Sequence, residues 1–330
     1  MERTADDGAA GPGARPGAEP GTEAGTEAGT EPAGFVVLVE GDARIHFLDW
    51  GGEHGPAGVL LVHGLAQTGW AWAPVARAVA AVTRTIAMDV RGHGLSDAPT
   101  DGFDAATLAE DVIAVAEGSG LLATSGDRVV LVGHGFGAIV CAWAARALGD
   151  RCAALVVVDG GWEDLDTATG LDVDEFLRGL DEPPEVLASL EAYLGDRIGF
   201  DPETWDAEQD RAARSAIVET RAGRLVLVTR PHVIEAVARA MFAYTPSVLT
   251  DVAAPVTAVL VLDDEIASRA RALEEASAAR VRAGRAPIRV VRMPALGHNV
   301  MRYRPRDLAA TLLEVVRAAR TDGPSRRTPI

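Results

Sequence analysis

From Phe35 onward, short runs of valine, isoleucine and leucine alternate with alanine-rich stretches whose apolar residues recur every three to four positions. Strands buried on both faces read as near-continuous apolar runs, and crossover helices as amphipathic ones, so the pattern predicts an α/β domain with a mostly parallel sheet. Strands are predicted at Phe35 to Val39, Arg44 to Asp49, Val59 to Val62, Thr85 to Asp89, Arg128 to Val132, Ala154 to Asp159, Thr257 to Leu262 and Ile288 to Met293. The first two form an antiparallel pair across Glu40 to Asp42. Helices are predicted at Trp72 to Ala81, Ala105 to Glu117, Phe136 to Leu148, Ile266 to Arg282 and Pro305 to Arg320, the last opened by a proline where one is tolerated.

The alternation breaks between Trp162 and about Tyr244, where helical patterns are punctuated by Pro183, Pro184, Pro202 and Pro231, with a single weak strand candidate at Leu225 to Thr229. An insertion between the sixth and seventh strands sits above the carboxyl ends of the sheet, where open α/β folds bind ligands. The expected organisation is therefore a tail over residues 1–34, a core over 35–161, a helical cap over 162–245, the rest of the core over 246–320 and a tail over 321–330. The first tail is rich in Gly, Ala, Glu, Pro and Thr, carries no apolar targeting segment and is expected to be disordered.

Composition narrows the function classes. All 31 basic residues are arginine and stand against 48 acidic ones; the net charge of −17 disfavours nucleic acid as a partner. The longest strongly apolar run, Ala153 to Val158, is far below the roughly 18 residues of a membrane span. The two cysteines, Cys141 and Cys152, give neither a disulfide framework nor a zinc pattern, which fits a reducing, cytoplasmic compartment. Neither a metal nor a cofactor is expected. Asp164, Asp166, Asp172 and Asp174 lack the glycine and terminal glutamate of a calcium loop and read as solvated surface.

Three segments carry chemistry in a recognisable order. Val59 to Gly64 reads Val-Leu-Leu-Val-His-Gly, Ala87 to Asp97 reads Ala-Met-Asp-Val-Arg-Gly-His-Gly-Leu-Ser-Asp, and Gly297 to Pro305 reads Gly-His-Asn-Val-Met-Arg-Tyr-Arg-Pro. Together they resemble the α/β-hydrolase superfamily, specifically its capped esterase, epoxide hydrolase and haloperoxidase-like branch, over roughly Phe35 to Arg320. The resemblance implies an eight-stranded sheet flanked by helices, with the cap inserted after the sixth strand.

In that family the nucleophile occupies Gly-x-Nuc-x-Gly, a sharp turn between the fifth strand and the next helix. Here the turn reads Gly133-His134-Gly135-Phe136-Gly137, so the nucleophile position is Gly135 and no oxygen or sulfur is available for covalent attack. Glycine escapes the strain that a side chain bears at such a turn, on the order of 1 to 3 kcal/mol. Cys141 lies about a turn further on, where a helix residue faces the sheet, and reads as an inert core thiol.

By the same resemblance, the N–H groups of Leu65 and Phe136 form an oxyanion hole and His298 is the catalytic base. Its acid partner is expected at Asp264 or Glu265, after the seventh strand, with Asp159, after the sixth, as the alternative. His63, Gly64, Trp70, His134, Asp159 and Trp162 are candidates for the pocket; His63 reads better as a residue fixing the loop. Trp72, Trp205 and Phe136 either line the pocket or simply pack. Asp89, Arg91, His93 and Asp97 read as a turn and ion-pair framework, since a loop with that many polar groups must satisfy them locally.

The turn also satisfies Gly-x-Gly-x-x-Ala, with Asp159 downstream, as a dinucleotide site does. That fingerprint normally opens the first βαβ unit, and two strands with hydrolase-like loops precede it here. The leading expectation is a His298-based noncovalent enzyme acting on a small apolar ester-, lactone- or epoxide-like molecule, the space left at Gly135 holding water or a substrate group. A noncatalytic protein that binds a small ligand is the alternative, and a dinucleotide-binding protein a minor one.

Overall fold

The computed structural model describes residues 31–55, 57–180, 186–262, 266–295 and 297–321. An eight-stranded sheet is built from β1 (Ala33–Leu38), β2 (Arg44–Asp49), β3 (Gly58–Val62), β4 (Thr85–Met88), β5 (Val129–His134), β6 (Cys152–Val158), β9 (Val256–Val261) and β10 (Arg289–Met293), in the order β1-β2-β4-β3-β5-β6-β9-β10. β1 pairs antiparallel with β2 and β2 with β4, and every later neighbour is parallel. β3, β4, β5, β6 and β9 are buried throughout, as their unbroken apolar runs require. β1 begins two residues before the predicted domain edge. Ala33 and Gly34 lie opposite Asp49 and Leu48, a pairing made by main-chain groups that needs no apolar side chain.

Helices cover both faces. One layer contains α2 (Ala105–Gly118), the short α3 (Leu121–Thr124) and α4 (Phe136–Leu148), whose Leu108, Val112, Ile139, Val140 and Trp143 pack with Leu60, Leu131 and Leu155 of the sheet. The other contains α1 (Ala73–Ala80) and α13 (Pro305–Thr321), whose Val75, Val79, Leu308 and Leu312 pack on Val59, Val130 and Val156. Alternate residues of one strand thus feed opposite cores. Asp104 caps α2 by accepting from the N–H groups of Ala106 and Thr107.

The segment between β6 and β9 holds α5 (Leu165–Thr169), α6 (Val173–Gly179), α7 (Leu190–Phe200), α8 (Ala207–Ser215) and α9 (Pro231–Ala243), followed by α10 (Val248–Asp251). It is not wholly helical. β7 (Ile217–Glu219) and β8 (Leu225–Leu227) form an antiparallel hairpin, so the weak strand candidate has a partner that its three half-exposed or exposed residues concealed. The cap is fastened to the core where Arg211 of α8 lies 3.7 Å above the Trp70 ring, Thr68 Oγ1 lies 2.6 Å from Ser215 Oγ, and Arg77 pairs with Glu208 at 2.7 Å. After β9 come α11 (Ile266–Arg282), then β10, and α12 (Val300–Tyr303) just before α13. No helix among the described residues is long and apolar enough to cross a membrane.

Candidate active site

β5 ends in a tight turn. Gly135 has φ 51° and ψ −115°, a backbone that side chains rarely adopt, and its N–H donates to the carbonyl of Val158 at 3.0 Å. Strand and helix meet so closely that a Cβ on Gly133 lies 2.1 Å from the Gly137 carbonyl oxygen, and one on Gly137 lies 2.4 Å from that of Val62. A Cβ on Gly135 instead points at His298, with Nε2 at 2.9 Å. The imidazole edge thus closes onto the glycine.

His298 stands on the loop between β10 and α12, and its partner is Asp159, at the end of β6. Nδ1 lies 2.6 Å from Asp159 Oδ2, and the carboxylate is buried while the imidazole is 57% exposed. The other carboxylate oxygen, Oδ1, accepts from Arg269 Nη1 at 2.7 Å and from the Val261 N–H at 3.3 Å. Burial on its own raises the Asp159 pKa; the hydrogen bond from His298 and the charge of Arg269 outweigh it and hold the carboxyl below its ordinary range. Asp159 also has φ 50°, in the left-handed region that non-glycine residues seldom occupy. Asp264 and Glu265 lie outside the described residues. With an ionised Asp159 on Nδ1, the neutral imidazole carries its proton there and presents the Nε2 lone pair toward Gly135.

His134 underpins the base. Its ring lies 4.3 Å from that of His298, and its Nε2–H donates to the His298 carbonyl at 2.9 Å. Burial, followed by the nearby His298 charge, pushes its pKa down to about 3, so it stays neutral. Gln67 Oε1 accepts from the Gly64 N–H at 3.0 Å and its Nε2 donates to Asn299 Oδ1 at 2.5 Å, which ties the loop after β3 to the residue after the base. His63 fixes that loop, as read from the sequence: Nδ1–H donates to the Gly64 carbonyl at 2.8 Å and Nε2 accepts from the Val90 N–H at 3.0 Å. The N–H groups of Leu65 and Phe136 have no acceptor among the described residues, which leaves them available to a developing oxyanion.

The second motif is a framework. Asp89 accepts from the N–H groups of Gly69 and Leu95 and meets His46 at 2.8 Å, Arg91 grips buried Asp111, and Asp97 pairs with Arg44. Trp162 and Trp72 are buried, and Trp70 packs edge-on against Trp50. The Cys141 thiol is buried and its pKa is driven well up, so it is no nucleophile. The Asp159 carboxylate is buried and taken up with His298, Arg269 and the Val261 N–H rather than presented to a ligand, and β5 is the fifth strand of the chain rather than the first.

Sequence reasoning missed Arg269, Gln67 and Asn299. Arg269 follows Asp263, Asp264 and Glu265 closely in the chain, so its sequence neighbours gave no reason to look for Asp159, the partner 110 residues away that the fold supplies.

A family model described as the alpha/beta hydrolase family matches residues 59–311. Lipase LipV of Mycobacterium tuberculosis (strain ATCC 25618 / H37Rv) is 36% identical over 169 residues, covering 48% of this chain and 58% of that protein. Soluble epoxide hydrolase of Corynebacterium sp. (strain C12) is 32% identical over 116 residues, 35% of this chain and 38% of its own length. The chain thus spans about 58% or less of the length of these curated relatives. The crystal structure of E-2-(acetamidomethylene)succinate hydrolase superposes with a TM-score of 0.72 at 22% identity, covering 87% of this chain and 99% of that one, which is a likeness of fold.

Proposed function

The chain belongs to the alpha/beta hydrolase family, and from that premise we propose that it hydrolyses an ester-, lactone- or epoxide-like substrate without a covalent intermediate on the enzyme. One observation carries this reading: the base is fully assembled, Nε2 directed at position 135, while Gly135 offers nothing to attack with. In the ester case His298 Nε2 takes a proton from a water on the open side of the ring as the water oxygen bonds to the carbonyl carbon. The electron pair displaced from the C=O bond resides on an oxyanion that accepts from the Leu65 and Phe136 N–H groups. Collapse re-forms the C=O bond, expels the alkoxide, and returns the proton from His298 to it. Asp159 stabilises the intervening imidazolium, and Arg269 keeps Asp159 ionised before the proton arrives.

Turnover of p-nitrophenyl esters by the natural protein, by His298→Ala and by Gly135→Ser tests this. The proposal expects slow turnover that His298→Ala abolishes. The absent nucleophile equally favours a second reading, a protein that binds its ligand without chemistry. That reading expects no turnover by the natural protein and a rate only in Gly135→Ser.

A further inference from the structure

Beside the site, a cavity of about 120 Å³ opens between the cap and the core, lined by Gln67 and Ala66 from the loop after β3, by Asn299 next to the base, and by Tyr193, Arg197 and Arg302. A second opening of about 510 Å³ continues it along α7 and shares Tyr193, Arg197, Asn299 and Arg302. In a chain of net charge −17, the inner cavity is lined by two arginines and no carboxylate; Asp196 borders only the outer one.

Arg302 is a built cation. It sits on α12, four residues past the base, where Nε donates to Thr204 Oγ1 at 2.7 Å and Nη2 to the Asp201 carbonyl at 2.6 Å. Both acceptors are neutral, and the Trp205 and Tyr303 rings lie 5.6 Å from the guanidinium carbon. Arg197, on α7, rests 5.1 Å from the Tyr193 ring. Neither arginine makes a direct ion pair with a carboxylate among the described residues; the Asp201 carboxylate accepts from Thr204 Oγ1 at 2.8 Å, one hydroxyl removed from Arg302. Arg302, fixed through Thr204 and the Asp201 carbonyl, and Arg197 beside Tyr193, with the Asn299 amide group at the same wall, offer N–H donors to a planar anion.

We propose that this cleft binds a carboxylate group of the substrate, so that the molecule hydrolysed at His298 is anionic rather than apolar. This replaces the apolar ligand expected from the sequence, and it rests on the placement of the reaction at His298. Arg302 holds the carboxylate from the core while Arg197 closes on it from the cap, so the anion itself draws the two parts together. The cavity of about 120 Å³ has room for a carboxylate with a short carbon chain, leaving the scissile carbon to lie toward the Leu65 loop.

The test is isothermal titration of the intact protein at low ionic strength with glutarate, its neutral isostere glutaramide, and inorganic phosphate. Saturable glutarate binding with none for glutaramide is expected. Arg197→Gln, which removes no internal hydrogen bond, and Arg302→Gln should each weaken it about ten- to a hundredfold, while Arg239→Gln leaves it unchanged. Because Arg302 also secures the cap loop, Arg302→Lys, partly restoring affinity, separates charge from folding, and Arg197→Gln tests the site whether or not the Arg302 variants fold. Absence of glutarate binding, affinity indifferent to Arg197→Gln, or tighter binding of phosphate overturns the proposal. Loss of the anion site alongside intact His298-dependent turnover sinks this inference alone; glutarate binding without such turnover sinks the proposed chemistry alone.

Discussion

The two sides of the site are built by different means. On the base side, side chains do the work: His298, Asp159 and Arg269 form a continuous line of charge-assisted bonds of 2.6 and 2.7 Å. On the nucleophile side, glycines do it, with Gly133, Gly137 and Gly160 permitting backbone approaches that a Cβ would meet at 2.1, 2.4 and 3.1 Å. The turn at Gly135 keeps the geometry that a nucleophile needs although no nucleophile is present. Elbow geometry is therefore a property of the surrounding close packing, and the residue at its apex can lose its side chain without loosening the turn.

Breaking the base side has the largest expected effect. His298→Ala removes the proton acceptor and should lower turnover by about 10²- to 10⁴-fold, measured as kcat/KM on p-nitrophenyl esters. Breaking the nucleophile side should act on stability instead. Gly137→Ala places a methyl group 2.4 Å from the Val62 carbonyl oxygen and should cost at least about 3 kcal/mol in urea unfolding.

Gly135→Ser sharpens the contrast, because it puts an attacking oxygen beside a ready base. Its Cβ meets His298 Nε2 at 2.9 Å, so the imidazole must give way, and the strain of φ 51° adds about 1 to 3 kcal/mol. The variant should acquire burst kinetics with activated esters. A smaller effect comes from His134, which joins the two sides. Its folded pKa of about 3 lies below the ordinary 6.5, so the unfolded chain binds a proton over an interval in which the folded protein does not. Stability present above pH 6.5 should thus decline as the pH falls toward 3, by about 1 kcal/mol between pH 7 and 5.5 for this group. His134→Gln should flatten that part of the profile.

All eight sheet strands and the five long core helices, α1, α2, α4, α11 and α13, were legible, because burial on both faces writes unbroken apolar runs and crossover helices write a regular stripe; the single-turn α3 and α12 were not. β7 was not, since three residues with little burial carry no period. The position of His298 was legible from Gly-His-Asn, but its carboxylate partner was not settled among three candidates. Asp159 and His298 stand 139 residues apart, and only the fold brings the ends of β6 and the β10 loop together. Arg302 was hidden differently: a net charge of −17 describes the whole surface, whereas the proposed recognition depends on which cations the fold gathers at one cavity.

The central claim is that hydrolysis at this site runs through a base and never through an enzyme-bound acyl group. Intact-mass spectrometry after exposure to p-nitrophenyl acetate, with peptide mapping, tests it most directly. The account predicts no acetyl adduct on the natural protein and a single one at position 135 of Gly135→Ser that disappears when His298→Ala is added. An adduct on the natural protein at any residue lining the site, formed during turnover, would contradict it.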